Sequence, residues 1–207
     1  MIRRSPPFTL EMRDAIRTGK KTQTRRPMKL PDNPYYKKSF CGMKTSLGYP
    51  ASEKYIWAGF GNPEDPSYFK PPYGKPGDIW AMAEPLKKHK NNAIVYADDD
   101  LFVYFPEEPK WWSWKRDYLT SMQMPTAYAR TYRMITDVRA ERVQDISEAD
   151  ALAESVPGPG FLNATDSFRS LWDSIYLKDG HGWDANDWVF AYTWRDATAH
   201  EVEKAKW

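Results

Sequence analysis

The densest chemistry in this chain is the run Lys20-Lys21-Thr22-Gln23-Thr24-Arg25-Arg26-Pro27, with Lys29 close behind. Five cations and two hydroxyls within ten residues are the donor types that bind anions, phosphate or nucleic acid first among them. The run is the core of a larger basic block. Residues 1–30 carry Arg3, Arg4, Arg13, Arg17, Lys20, Lys21, Arg25, Arg26 and Lys29 against Glu11 and Asp14, a net +7, which leaves −5 for the other 177 residues of a chain whose total is +2. The plainer alternative is a solvated basic face. A second concentration is Trp111, Trp112 and Trp114, flanked by Lys110, Lys115 and Arg116. Three Trp in four residues cannot all face one core from a strand or a helix, so at least one is expected on the surface or in a cleft. Cations beside aromatic rings are what recognition of single strands and flipped bases uses, so RNA or a modified nucleoside is the expected partner.

These groups need elements to position them. Residues 9–18 read as a short helix, capped by Thr9, with Phe8, Met12, Ala15 and Ile16 as its apolar stripe and Gly19 as its stop. The threonines of 20–27 favour a strand that Pro27 ends. Residues 28–72, rich in Pro, Tyr and Lys, show little periodicity and read as an irregular insertion with a short strand near Tyr55-Ile56-Trp57. Strands are expected at 79–84 and 93–97, a further one is possible within 101–105, and an aromatic-rich excursion covers 101–125. Asp98-Asp99-Asp100 reads as a solvated turn, since consecutive residues point to alternate sides. Two strands are expected at 127–134 and 134–143, a helix from the Ser147 cap to Glu154, and an amphipathic helix over 165–177 carrying Phe168, Leu171, Trp172, Ile175 and Tyr176. Residues 188–194 alternate large aromatics with smaller residues as a strand with one packed face, so Trp172, Trp188 and Trp194 are expected in the core; the charged tail after Arg195 is expected to fray. The order of elements implies an α+β fold with a curved, mostly antiparallel sheet.

Composition removes several classes. One cysteine, Cys41, cannot make an internal disulfide framework, and three histidines with one cysteine do not assemble a zinc site, so no metal or other cofactor is expected. His89, His181 and His200 sit in charged or Gly-rich contexts and read as surface residues. No apolar run approaches the roughly 20 residues of a membrane span. The basic start Met1-Ile2-Arg3-Arg4-Ser5 has no apolar segment after it, so a cytoplasmic protein without membrane contact is expected.

Taken together, the segments resemble a family. Gly19-Lys20-Lys21-Thr22-Gln23-Thr24-Arg25-Arg26-Pro27 is similar to the GxKTxTxR signature of ASCH domains, which are PUA-like β-barrels. Further segments agree in order: Lys75-Pro76-Gly77-Asp78 before a strand ending at Glu84, Met124-Pro125 before Arg130, 145–154, and 168–176 followed by 183–189. The set looks most like the ASCH-domain proteins of phages and prophages. Such proteins tend to carry Arg where this chain has Ala83 and Thr126. The resemblance implies one PUA-like curved antiparallel barrel over 1–207 with flanking helices and an insertion. It also implies a pocket built from Lys20, Lys21, Thr22, Thr24, Arg25, Arg26, Lys29, Glu84, Arg130 and Glu154, with Trp111 and Trp112 as stacking surfaces. One branch of the family hydrolyses the acetyl amide of N4-acetylcytidine with a Lys, a Thr and a Glu, which fall on Lys21, Thr24 and Glu154. A desolvated Lys would serve as base for the Thr hydroxyl. Residues i and i+3 of a strand face opposite sides, so this requires a turn or bulge after Gly19. A non-catalytic nucleic-acid-binding module and a ribonuclease of the wider family are the alternatives.

Overall fold

A computed structural model describes residues 1–30, 40–45, 56–62, 65–90, 93–103, 116–154 and 163–206, with the backbone alone for 40–45, 56–62 and 65–68. The chain enters through β1 (Ile2–Arg4) and α1 (Leu10–Arg17), where the Thr9 hydroxyl accepts from the Met12 amide. Gly19, at φ +73, reverses the chain, and the Lys21 amide donates back to Ala15 O at 3.0 Å. Only then does β2 (Gln23–Pro27) begin.

Within the segment expected to be irregular lie β3 (Phe40–Thr45), β4 (Ile56–Asn62) and β5 (Asp65–Phe69), an antiparallel sheet in that order. Gly42 stands opposite Gly59 and Gly61 opposite Pro66. Such residues break the apolar alternation by which a strand is read while leaving most of the backbone free to pair.

The remaining elements are β6 (Ile79–Ala81), β7 (Leu86–Lys88), β8 (Ile94–Tyr96), β9 (Tyr118–Leu119), β10 (Tyr132–Arg142), α2 (Glu148–Ala153), α3 (Ala164–Tyr176), β11 (Trp188–Asp196) and α4 (Ala199–Ala205). The main sheet runs β1-β6-β10-β11-β2, with β1 and β6 parallel and the other pairs antiparallel. The α+β class expected from sequence is present. The sheets are not closed into the barrel that was expected: in the main sheet β1 and β2 are opposite edges, with the two long strands between them. Residues 127–134 and 134–143 are not two strands. Pro125 leads into a 3₁₀ turn at Thr126–Tyr128, and one strand, β10, follows. In the described part of 101–105 the pairing is a single bridge, Val95 to Phe102. The tail does not fray but forms α4, because Thr198 and Glu201 make a reciprocal capping box and Glu201 also holds Arg195 at 2.6 Å. Nor is Asp98-Asp99 merely solvated: Asp98 accepts from Arg13 Nε at 2.6 Å, and Asp99 pairs with Arg17 and Arg130.

Strand alternation divides the core. Phe190, Tyr192 and Trp194 on one face of β11 pack with Trp80, Phe8 and Ile16, the Trp80 ring lying 5.4 Å from Tyr192 and 5.3 Å from Trp194. Val189 on the other face packs with Phe168 and Trp172 of α3. Trp172 and Trp194 are core, as expected, while Trp188 is half-buried under the Arg142 guanidinium, 4.6 Å above its ring.

The turn into β6 tolerates no side chain at Gly74, which sits at φ +118. A Cβ there would come within 2.9 Å of both Arg3 Cδ and Asp78 Oδ2, the partners of a 2.6 Å ion pair. Gly74→Ala is expected to cost about 1–3 kcal/mol in urea unfolding.

Candidate functional site

The turn after Gly19 decides the site. Lys21 precedes β2, so the opposition of i and i+3 does not apply to it. Its side chain is 1% exposed, and Nζ donates to Glu154 Oε2 at 2.6 Å and Glu154 O at 2.7 Å. The Thr22 amide takes Ala153 O at 2.8 Å, so two carbonyls at the end of α2 are satisfied by the lead-in to β2. Burial pushes the Lys21 ammonium below the usual lysine value, with Glu154 opposing the shift.

Gln23 and Arg25 share the face of β2 that looks toward α2. The Arg25 side chain has no exposed surface; it donates to Glu141 at 2.7 Å, Asp150 at 3.0 Å and Glu154 at 3.2 Å. Arg139 completes the network through Glu141 and Asp150. Arg25 is thus fully engaged inside the protein.

Thr24 and Arg26 lie on the other face, opposite Tyr192 and Phe190. Thr24 borders a cavity of about 20 Å³ together with Glu154, Arg26, Phe168 and Trp172, room for about one water. Among the described residues no hydrogen bond joins the Thr24 hydroxyl to Lys21 or Glu154. Arg26 also walls a far larger cleft of about 850 Å³, with Lys29, Lys70, Tyr73, Tyr176, Asp179 and His181 around it. Arg26 Nη2 donates to Pro7 O at 2.6 Å and Nη1 to the Tyr176 hydroxyl at 3.2 Å, and its guanidinium lies 5.1 Å over the Phe8 ring. Its buried Nε has no hydrogen-bond partner among the described residues. Tyr73 is fixed by Trp80 Nε1, which donates to its carbonyl at 2.7 Å.

The structure does not bring Glu84 and Arg130 to this place. They follow and neighbour β6, which β10 and β11 separate from β2 by about 14 Å at ordinary strand spacing. There Arg130 binds Glu84 at 2.5 Å and Asp99 at 2.7 Å, stacked 3.9 Å over the Tyr96 ring. Burial pushes the Tyr96 phenol up to about 12. Lys20 is exposed, and Thr22 is half-buried with its carbonyl taken by the Trp194 amide. Trp111, Trp112 and Trp114 lie outside the described residues.

Sequence reasoning did not single out Tyr73, Tyr176 or His181 as cleft residues. His181 Nδ1 lies 2.7 Å from Asp187 Oδ2. The available signal was the Gly-flanked His181 six positions before Asp187 at the entry to a strand. Among the described residues no group of three or more His, Cys, Asp or Glu could hold a metal ion, and no helix is long and apolar enough to cross a membrane. Comparison with protein-family models, curated proteins and solved structures gives no match to this chain.

Glu154→Gln leaves the buried Lys21 ammonium without its counter-charge and is expected to cost about 3–5 kcal/mol in urea unfolding. The depressed Lys21 value has a pH signature. Between its folded value and the ordinary lysine value of about 10.4 the unfolded chain holds more protons than the folded one, so Lys21 adds stability as pH rises through that interval. Unfolding curves of wild type and Lys21→Met across alkaline pH are expected to show this rise in wild type and not in the variant.

Proposed function

We propose that this protein recognises RNA or a modified nucleoside in the cleft beside β2. The observation that carries the reading is Arg26. It is a guanidinium fixed in the wall of a cleft of about 850 Å³ by Pro7 O and the Tyr176 hydroxyl. That volume is in the range of small-molecule sites. Among the described residues of the wall, Lys29 and Lys70 add positive charge against one carboxylate, Asp179, and Tyr73 and Tyr176 offer aromatic surface. A phosphate or a base carbonyl suits the guanidinium and the two lysines, and the rings suit a stacked base. The family resemblance of the Gly19–Pro27 segment points the same way.

A second reading, hydrolysis of an N4-acyl cytidine amide, is favoured by the Lys21–Glu154 contact and by the cavity that Thr24 and Glu154 share. A buried Lys with a lowered pKa is a fitting base for a Thr hydroxyl. The cavity at Thr24 must open for a nucleoside to enter. Turnover of N4-acetylcytidine by wild type, lost in Lys21→Ala, would support this reading; no turnover would remove it and leave recognition standing.

For recognition, fluorescence anisotropy with a single-stranded oligoribonucleotide is expected to show Arg26→Ala binding about 10-fold or more weakly, with a shallower salt dependence. Lys20→Ala, exposed and outside the cleft wall, is expected to stay within about twofold. Equal affinity for Arg26→Ala and wild type would overturn the proposal.

A further inference from the structure

Resting on recognition of RNA in this cleft, the geometry points to a second role there: we infer that His181, oriented by Asp187, cleaves the bound strand by intramolecular attack of a ribose 2′-hydroxyl. His181 is a cleft residue with 49% of its side chain exposed, so its ring reaches solvent. Its backbone does not move freely. The amide donates to Tyr176 O at 3.1 Å, and the carbonyl accepts from the buried Trp172 indole at 2.8 Å. Nδ1 is engaged by Asp187 at 2.7 Å, which assigns the proton to Nδ1 in the neutral ring and leaves Nε2 as the acceptor.

Asp187 is held just as firmly. The Val143 amide donates to its carbonyl at 3.0 Å. The preceding residue, Asn186, ends the 3₁₀ turn of Trp183–Ala185 at φ +45 and ψ +49, a left-handed conformation that Asn adopts more readily than most residues. Two contacts hold it, Arg142 Nη1 to Asn186 O at 2.9 Å and the Gln144 amide to Asn186 Oδ1 at 3.2 Å, while Gln144 Nε2 holds the turn before it at Trp183 O, 2.9 Å. These bonds hold the segment that leads into Asp187.

Arg26 is connected to the same place. Its Nη1 donates to the hydroxyl of Tyr176, the residue whose carbonyl anchors His181. A base and a guanidinium therefore flank one cleft, which is what transesterification of a phosphodiester requires. In the step, His181 Nε2 takes the proton of the 2′-hydroxyl as its oxygen bonds to phosphorus. The bond from phosphorus to the 5′ oxygen of the next nucleotide breaks, and the proton passes from His181 to that oxygen. The products are a 2′,3′-cyclic phosphate and a 5′-hydroxyl; no water, metal or redox partner is consumed. Arg26 and Lys29 bear on the charge of the five-coordinate phosphorus. In this step His181 is the catalytic residue and Asp187 a positioning residue.

The test is cleavage of an end-labelled single-stranded oligoribonucleotide by the full chain, read with binding of the same oligonucleotide. Wild type is expected to give the cyclic phosphate end, and a strand with 2′-deoxyribose at the cut position is expected to bind and stay intact. His181→Gln is expected to lose about 100-fold or more in cleavage rate, at least ten times any loss of affinity. His200→Gln, purified identically and altered on exposed α4, is expected to cleave as wild type does. Asp187→Asn is expected to lower kcat by about tenfold or more with little change in KM, and Asp187→Glu to recover part of it. Binding without cleavage, or equal cleavage by wild type and His181→Gln, would overturn the dyad and leave recognition intact. No binding by wild type would overturn recognition and the dyad with it.

Discussion

The β2 side of the molecule depends on one carboxylate, Glu154, being buried with its charge matched. At 3% exposure it has little water to lean on, so its oxygens must find donors within the protein. One oxygen takes Lys21 and the other takes Arg25. The first bond closes the turn after α1 against the end of α2; the second ties α2 to an edge strand. Through Asp150 and Glu141 the same network reaches Arg139 on β10. Three cations and three carboxylates thus fix the angle between the sheet and the α2 end. Removing one member strands a charge in low dielectric, which is why such networks behave as units rather than as a sum of pairs.

The same requirement changes the meaning of the basic N-terminal block. Most of its charge is not offered to a ligand. Arg3 meets Asp78, Arg13 meets Asp98, Arg17 meets Asp14 and Asp99, and Lys21 and Arg25 meet the α2 network. Arg4 sits on the carbonyls of Met122 and Met124. The −5 in the remainder of the chain supplies partners such as Asp78, Asp98 and Glu154, which lie 75 to 133 residues from Arg3, Arg13 and Lys21, a separation no local window detects. Lys20 and Lys29 are left exposed, and Arg26 lines the cleft.

Arg26 therefore stands between two spaces of different character. On one side is the cavity at Thr24 and Glu154, the size of a water molecule; on the other is a cleft large enough for a nucleotide. The first holds Thr24 and Glu154, closed in against Phe168 and Trp172. The second has aromatic walls, an excess of positive charge and a His–Asp pair held by backbone contacts. Ligand access favours the second, because a group locked in an ion pair must lose that pair before it can serve a substrate.

Local signals in the sequence determined much of the scaffold. Thr9, Ser147 and Gly19 mark helix ends because capping and positive φ are properties of a few neighbouring residues. The alternation of 188–194 determined which face of β11 is core. Around β2, Lys21 meets Glu154, and Glu154 shares a small cavity with Thr24 and Arg26. Other features were settled only by tertiary structure. Edge against edge, the short β1 and β2 lie too far apart to close a barrel, and strand pairing of Gly- and Pro-rich segments leaves no periodic trace. Glu84 and Arg130 stand apart from Lys21 because two strands come between them. The state of each cation, paired inward or facing a cleft, depends on carboxylates and carbonyls brought up by distant parts of the chain. Residue type decides that a charge exists; only the fold decides what neutralises it.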